Sequence, residues 1–269
     1  MKNGFVIRKN PFNQKPYKIS FENTRLIVFW TKNPEPLMQR LNWFDENFPN
    51  YYVQFTLNDY NRQIEAGIPP PEKRIETFIK LSERIGKEKV IWRFDPLLLT
   101  DKINIDDLLR KIENIAEKLN GYTEKLVFSF ADIENYRKVQ NNLKKAGINA
   151  FEFSRTEMLQ AAEGIFEILK KTGMKAATCA EEIDLSQFNI LRNKCIDDEL
   201  MIKLFSDDEK LMNFLGVKKN EKGIFVRKKK NLKDKGQRKE CCCIESKDIG
   251  TYNTCQSACA YCYAGSNKK

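Results

Sequence analysis

Short runs of Val, Ile, Phe and Tyr recur along the chain, separated by longer stretches in which apolar residues fall three and four apart. The first pattern fits buried parallel strands and the second fits crossover helices with one apolar face, so the alternation predicts an α/β fold on a parallel sheet. Strands are expected near Phe5 to Ile7, Leu26 to Trp30, Tyr51 to Phe55, Val90 to Arg93, Leu126 to Phe130 and Lys175 to Cys179. Helices are expected over Pro34 to Glu46, Pro71 to Ile85, Ile105 to Leu119, Glu134 to Ala146 and Thr156 to Lys171. In the second of these, Ile75, Phe78, Ile79 and Ser82 share one face. A chain of 269 residues has room for a barrel-like (β/α) domain, partial or full, with an appendage.

Polar clusters close several of these strands: Thr31-Lys32-Asn33-Pro34, Thr56-Leu57-Asn58, Arg93-Phe94-Asp95-Pro96, Ser129-Phe130-Ala131-Asp132 and Cys179-Ala180-Glu181. Parallel α/β folds place their ligand sites at the carboxyl ends of the strands, so these clusters are expected to converge on one mouth. Capping of the following helix is the simpler role for such residues, and it suits Asp132. It suits Lys32 and Arg93 poorly, because a cation at a helix start opposes the helix dipole. Lys32, Arg93, Asp95 and Glu181 are therefore the candidate catalytic and pocket residues, with an internal ion pair between Arg93 and Asp95 as the alternative. There is no internal repeat, P-loop or G-x-G-x-x-G fingerprint.

Composition narrows the chemistry. The absence of histidine excludes Ser-His-Asp catalysis, His-based zinc hydrolysis and mixed Cys/His zinc fingers. The net charge of +10 is concentrated in Lys218 to Lys239, where eleven Lys or Arg stand against two Asp or Glu. Such a run is a solvated linker or loop, with phosphate or nucleic-acid contact as the alternative. Charges interrupt every apolar segment before a membrane-spanning length is reached, which predicts no membrane partner and a cytoplasmic location. Eight cysteines without a secretory signal then point to metal ligands or reactive thiols rather than a disulfide framework. The expected organisation is a barrel-like domain over residues 1–217, a basic segment over 218–239 and an irregular cysteine-rich tail over 240–269 that packs on the barrel.

The tail carries Cys255-Gln-Ser-Ala-Cys259-Ala-Tyr261-Cys262, a C-x3-C-x2-C arrangement. Three thiolates on one tight loop can bind three irons of a 4Fe-4S cluster and leave the fourth iron open. The small residues Ser257, Ala258, Ala260 and Ala264 suit a loop wrapped closely around an inorganic core. A structural zinc site is the competing reading, although a lone C-x2-C would need an irregular ligand set. Cys179, Cys195, Cys241 and Cys243 could supply four ligands to a second, fully ligated cluster, leaving Cys242 out; small buried hydrophobes are the plainer role for isolated cysteines.

The C-x3-C-x2-C spacing resembles that of radical S-adenosylmethionine (SAM) enzymes. That resemblance implies an open iron chelating SAM, with Tyr261 in the position of the aromatic residue that packs near the adenine. The segments Phe29-Trp-Thr-Lys-Asn-Pro34, Gln54-Phe-Thr-Leu57, Trp92-Arg-Phe-Asp-Pro96, Thr178-Cys-Ala-Glu181, Cys195-Ile-Asp197 and Asp248-Ile-Gly-Thr-Tyr-Asn-Thr-Cys255 resemble a bacterial family known as domain of unknown function 1848. The resemblance covers nearly the whole chain. It implies a barrel-like fold with a cysteine-rich C-terminus, related to radical SAM enzymes such as spore photoproduct lyase. Members of that family usually begin with a further strand ending in a Ser-Arg-Arg-Thr-Asp-like segment, so the barrel is expected to lack its first strand. The cysteine motif also lies at the C-terminal end, whereas radical SAM enzymes carry it after their first strand. The leading functional expectation is an iron–sulfur enzyme that, given an external electron donor, generates a 5′-deoxyadenosyl radical on an unknown substrate. The alternatives are a metal-stapled binding module contacting nucleic acid or a protein through the basic segment, and an electron carrier.

Overall fold

The computed structural model describes residues 4–10, 13–221, 225–227 and 232–265. β1 (Phe5–Lys9) and β2 (Pro16–Ser20) form an antiparallel hairpin apart from the main sheet. Eight further strands follow: β3 (Ile27–Thr31), β4 (Tyr51–Thr56), β5 (Val90–Leu97), β6 (Leu99–Thr100), β7 (Lys125–Phe130), β8 (Ala150–Phe151), β9 (Lys175–Thr178) and β10 (Leu191–Arg192). Of these, β6 and β8 pair only with each other. The other six make one parallel sheet in the order β3-β4-β5-β7-β9-β10, each new strand joining beside the last. A final hairpin joins β11 (Val217–Lys219) to β12 (Phe225–Arg227).

Eight α-helices are described: α1 (Glu35–Met38), α2 (Leu41–Asn47), α3 (Pro71–Ile85), α4 (Ile105–Lys118), α5 (Arg137–Lys145), α6 (Arg155–Thr172), α7 (Asp198–Leu204) and α8 (Glu209–Leu215). Their ends follow local chemistry. Asn104 with Asp107 caps α4, and Ser154 with Glu157 caps α6, each pair satisfying two otherwise orphaned N–H groups. Pro71 begins α3, and Gly86 at φ +95° ends it in a conformation that a side chain would disfavour.

Because alternate strand residues point to opposite sides, the sheet feeds two cores. Val53, Phe55, Trp92, Phe94, Leu126 and Phe128 pack with the apolar faces of α3, α4 and α6. Phe55 stacks on Phe78 of α3 with ring centroids 5.1 Å apart. On the other side Tyr52, Ile91 and Val127 meet Met201, Phe205, Leu211, Met212 and Leu215 of α7 and α8, with Ile244 from the tail. Every residue of β4 is buried, as expected of a strand covered on both faces.

The strands and helices expected from Tyr51 to Lys175 are present with small shifts at their ends. Three expectations change. Phe5 to Ile7 belongs to the separate hairpin. The helix expected over Pro34 to Glu46 is split after Met38, and α2 presents buried Leu41 and places Phe44 edge-on to Phe29 at 5.1 Å. Among the described residues the main sheet is open, with β3 and β10 at its edges, rather than a closed barrel. No helix of the described chain is long and apolar enough to cross a membrane. Residues 222–224 and 228–231 of the basic segment lie outside the described residues.

Candidate functional site

The carboxyl ends of β4, β5, β7, β9 and β10 meet at one mouth. Arg93, on β5, is 3% exposed. Its Nε donates to Asp95 Oδ2 at 3.0 Å, and its Nη1 donates to Gln54 Oε1 at 3.3 Å and Cys195 Sγ at 3.0 Å. Burial opposes the charge on Arg93, but Asp95, followed by Cys195 and Cys179, outweighs it and holds the guanidinium well above its usual pKa. Burial likewise works to raise Asp95, yet Arg93 and the Ser129 hydroxyl overcome it and hold the carboxyl below the ordinary range. Glu181 accepts the Phe130 N–H at 2.9 Å at the end of β7, and burial pushes it up to about 7.

A second polar network surrounds Glu65, 2% exposed in the segment after β4. Lys32 lies 3.0 Å from Glu65 Oε1, and Arg74 of α3 lies 3.6 Å from Oε2. Tyr261, from the tail, donates its hydroxyl to Glu65 and accepts from Lys32 at 2.9 Å and from Asn58 at 3.0 Å. Burial, then Glu65, raises the Tyr261 phenol far above its usual value. Asn58 bridges the two networks, because its Oδ1 accepts the Asp95 N–H at 2.9 Å. Within the second network Glu65 Oε2 and Arg74 Nη1 make no hydrogen bond, and Oε2 is held by its ion pair with Arg74 Nη2.

The C-x3-C-x2-C loop docks on this network through its backbone. Gly67 N donates to Ser257 O at 3.0 Å, Ala260 N donates to Ile64 O at 2.8 Å, and Glu65 forms a β-bridge with Cys259. A Cβ at Gly67 would lie 2.1 Å from Gln256 O, so only glycine admits the loop at this approach. Cys255 is exposed, Cys262 is partly buried and Cys259 is 5% exposed. Burial pushes the Cys259 thiol up to about 11, with Lys32 opposing. Gly265 N donates to Cys262 Sγ at 3.1 Å and Ser257 N lies 3.5 Å from Cys255 Sγ.

Four of the other cysteines, Cys179, Cys195, Cys241 and Cys243, gather beyond the ends of β9 and β10. Cys179 Sγ, just beyond β9, lies 3.5 Å from Cys195 Sγ, just beyond β10. Cys243 Sγ accepts the backbone N–H groups of Cys195 at 3.2 Å and Ile196 at 3.4 Å, and its thiol also interacts with those of Cys195 and Cys241. Asn193 Nδ2 adds a contact to Cys195 Sγ at 3.2 Å. The partner thiol of Cys195, with burial behind it, holds Cys179 far above its ordinary value; the Cys195 contact and the Ile196 N–H draw Cys243 down despite burial. Among the described residues, no three Cys, Asp or Glu side chains already surround one point in a geometry that could hold a metal ion.

A family model described as domain of unknown function (DUF1848) matches residues 1–264. The chain belongs to this family. No curated protein matches it. The DUF1848 match extends beyond Cys262, so both cysteine groups and both polar networks lie within the family region.

The structure brings Lys32, Arg93, Asp95, Glu181 and Tyr261 to the mouth, but it gives Lys32 and Arg93 carboxylate partners within the chain. The alternative of an Arg93 to Asp95 ion pair is therefore the arrangement seen. Glu65, Asn58 and Arg74 are the site residues that sequence reasoning missed; the sole local signal was the polar end of β4 at Asn58. A cleft of about 420 Å³ in this DUF1848 chain follows the β9 and β10 side of the sheet past Lys125, Phe188, Leu191 and Asn193. None of the cysteines lines it, and its charged groups Lys125 with Asp197 and Lys194 with Glu199 are paired with one another.

Proposed function

We propose that this DUF1848 protein is an iron–sulfur enzyme of the radical SAM type, with a 4Fe-4S cluster held by Cys255, Cys259 and Cys262. The observation that carries this reading is the docking of the one short loop that bears all three cysteines onto Ile64, Glu65 and Gly67, beside the polar mouth of the parallel sheet. The donor set fits: three thiols lie on one short loop, those of Cys255 and Cys262 face backbone N–H groups, and Lys32 offers positive charge toward Cys259. When bound, such a cluster supplies one electron to cleave SAM and yields a 5′-deoxyadenosyl radical.

The protein's own residues prepare the place for that chemistry. Glu65, held by Lys32 and Arg74, fixes Tyr261 and so fixes the loop between Cys259 and Cys262. Asn58 ties that anchor to Asp95 and Arg93, which are braced against β4 and β7 by Gln54 and Ser129. The six parallel strands join in sequential order, with α3, α4 and α6 on one face and α7 and α8 on the other, which leaves their carboxyl ends as the place for substrate to approach. In this reading Tyr261 both anchors the loop and borders the SAM site, and the substrate enters beside Glu181.

Anaerobic reconstitution with iron and sulfide, followed by reduction in the presence of SAM, should release 5′-deoxyadenosine. Cys259→Ala should lose both bound iron and that product. A reconstituted cluster inert toward SAM, or equal product from the variant, would remove the radical SAM assignment.

A further inference from the structure

Of the five cysteines outside the tail loop, Cys179, Cys195, Cys241 and Cys243 are linked by thiol contacts where N–H donors face sulfur. Two of their sulfurs, those of Cys195 and Cys243, receive four N–H contacts: Arg93 Nη1 at 3.0 Å, Asn193 Nδ2 at 3.2 Å, Cys195 N at 3.2 Å and Ile196 N at 3.4 Å. N–H groups converging on sulfur are the outer contacts that orient and support thiolate ligands once a metal is bound. Arg93 places a buried guanidinium against the group. Adjacent thiolates repel unless a cation joins them.

We infer that Cys179, Cys195, Cys241 and Cys243 form a second metal site, which binds one divalent thiophilic ion, zinc or iron(II), in a tetrahedral four-sulfur set. Spacing decides between one ion and a cluster. Four sulfurs at about 2.3 Å from a common ion stand roughly 3.8 Å apart, and Cys179 and Cys195 already lie 3.5 Å apart. In a 4Fe-4S cluster each ligand sulfur serves a different iron, so its sulfurs are held well out of mutual contact. The present contacts form a chain, from Cys179 to Cys195, Cys243 and Cys241, and binding turns these side chains onto a shared centre. Each thiol that coordinates loses its proton to solvent, and the resulting dianionic site lies beside Arg93.

Such an ion would act as a clamp. Cys179 and Cys195 extend from β9 and β10, whereas Cys241 and Cys243 belong to the segment beyond the basic run, which touches the body through Ile244 N to Ile196 O at 3.2 Å and Asp234 N to Cys243 O at 2.9 Å within its own turn. The ion ties that segment to the mouth from which Arg93 and Asp95 project, independently of the tail loop.

The test is metal analysis of the full-length protein, purified anaerobically, with X-ray absorption at the zinc and iron edges. The expected result is one zinc or one iron per chain in Cys259→Ala, with four sulfur neighbours at about 2.3 Å, present in the wild type in addition to any tail-loop iron and lost in Cys243→Ser. Zinc and mononuclear iron are told apart by the edge at which the sulfur shell appears. Oxygen or nitrogen ligands, loss of the ion in Cys259→Ala, iron with stoichiometric sulfide persisting in that variant, or a metal-free Cys179–Cys195 disulfide would each overturn the inference. Should Cys243→Ser fail to fold, the wild-type and Cys259→Ala spectra still decide. Failure of SAM cleavage alone leaves these readouts unchanged, so the two proposals fail separately.

Discussion

The two cysteine groups lie at the same end of the sheet and are built in opposite ways. Around Cys179, Cys195 and Cys243, sulfur touches sulfur, N–H donors crowd in, and Arg93 and Asn193 come from structured positions on or beside the strands. In the tail, Cys255 is exposed and Cys259 is buried by a loop that lies over Glu65 and Gly67. Contacting sulfurs suit a single ion and a structural role. Three thiols on one accessible loop suit a polynuclear cluster with an open coordination position. A cysteine count cannot separate these roles; the distance between sulfurs and the rigidity of what bears them can.

Arg93→Ala should have the largest effect. It leaves Asp95 without its buried counter-charge, and urea unfolding should report a loss of about 3–5 kcal/mol. It should also deplete metal from the Cys195 group, while the tail loop, one bridge further along through Asn58, should retain much of its reconstituted iron. A loss confined to the tail would break the comparison. Gly67→Ala should act in the reverse sense. With Gln256 O only 2.1 Å from the new Cβ, the loop must move, costing about 1–3 kcal/mol and lowering iron uptake while the buried group keeps its ion. Normal iron binding by this variant would show that the loop's seat is unimportant to its ligands. The smallest effect on stability belongs to Cys255→Ser, an exposed position where thermal unfolding should shift by no more than about 0.5 kcal/mol. Iron content should nevertheless fall; unchanged iron would remove Cys255 from the ligand set.

The sequence exposed the parts whose causes are local. The apolar runs of β4, β5 and β7 and the facial periodicity of α3, α4 and α6 act within a few residues, and Pro71 or Ser154 marks a helix start without help from elsewhere. The interruption of the Pro34 to Glu46 helix arises from packing of Leu41 and Phe44 onto neighbours the local pattern does not name. Sequence position likewise made Cys179 a strand-end candidate and Cys195 a possible partner ligand, but their 3.5 Å contact depends on β9 and β10 pairing in parallel with Arg192 opposite Thr178. Glu65 was invisible for the same reason. An acidic residue in Asn61-Arg62-Gln63-Ile64-Glu65 is ordinarily solvated, and it is buried here by a bridge to Cys259, far along the chain. Lys32 and Arg93 were noticed because a cation at a helix start needs a reason, and the reason proved to be Glu65 and Asp95.

The pairing of Glu65 with Cys259 also sets an order of events during synthesis. Residues 255–262 leave the ribosome after every strand of the parallel sheet, so the sheet and its carboxyl-end mouth can assemble before the segment that covers Gly67 exists as a folded partner. The long separation adds little to the entropy of closing that contact, since the cost grows only with the logarithm of loop length. The cover is thus a late addition to a finished platform, and any cluster carried by it would be loaded post-translationally onto a body whose shape no longer depends on the delivery.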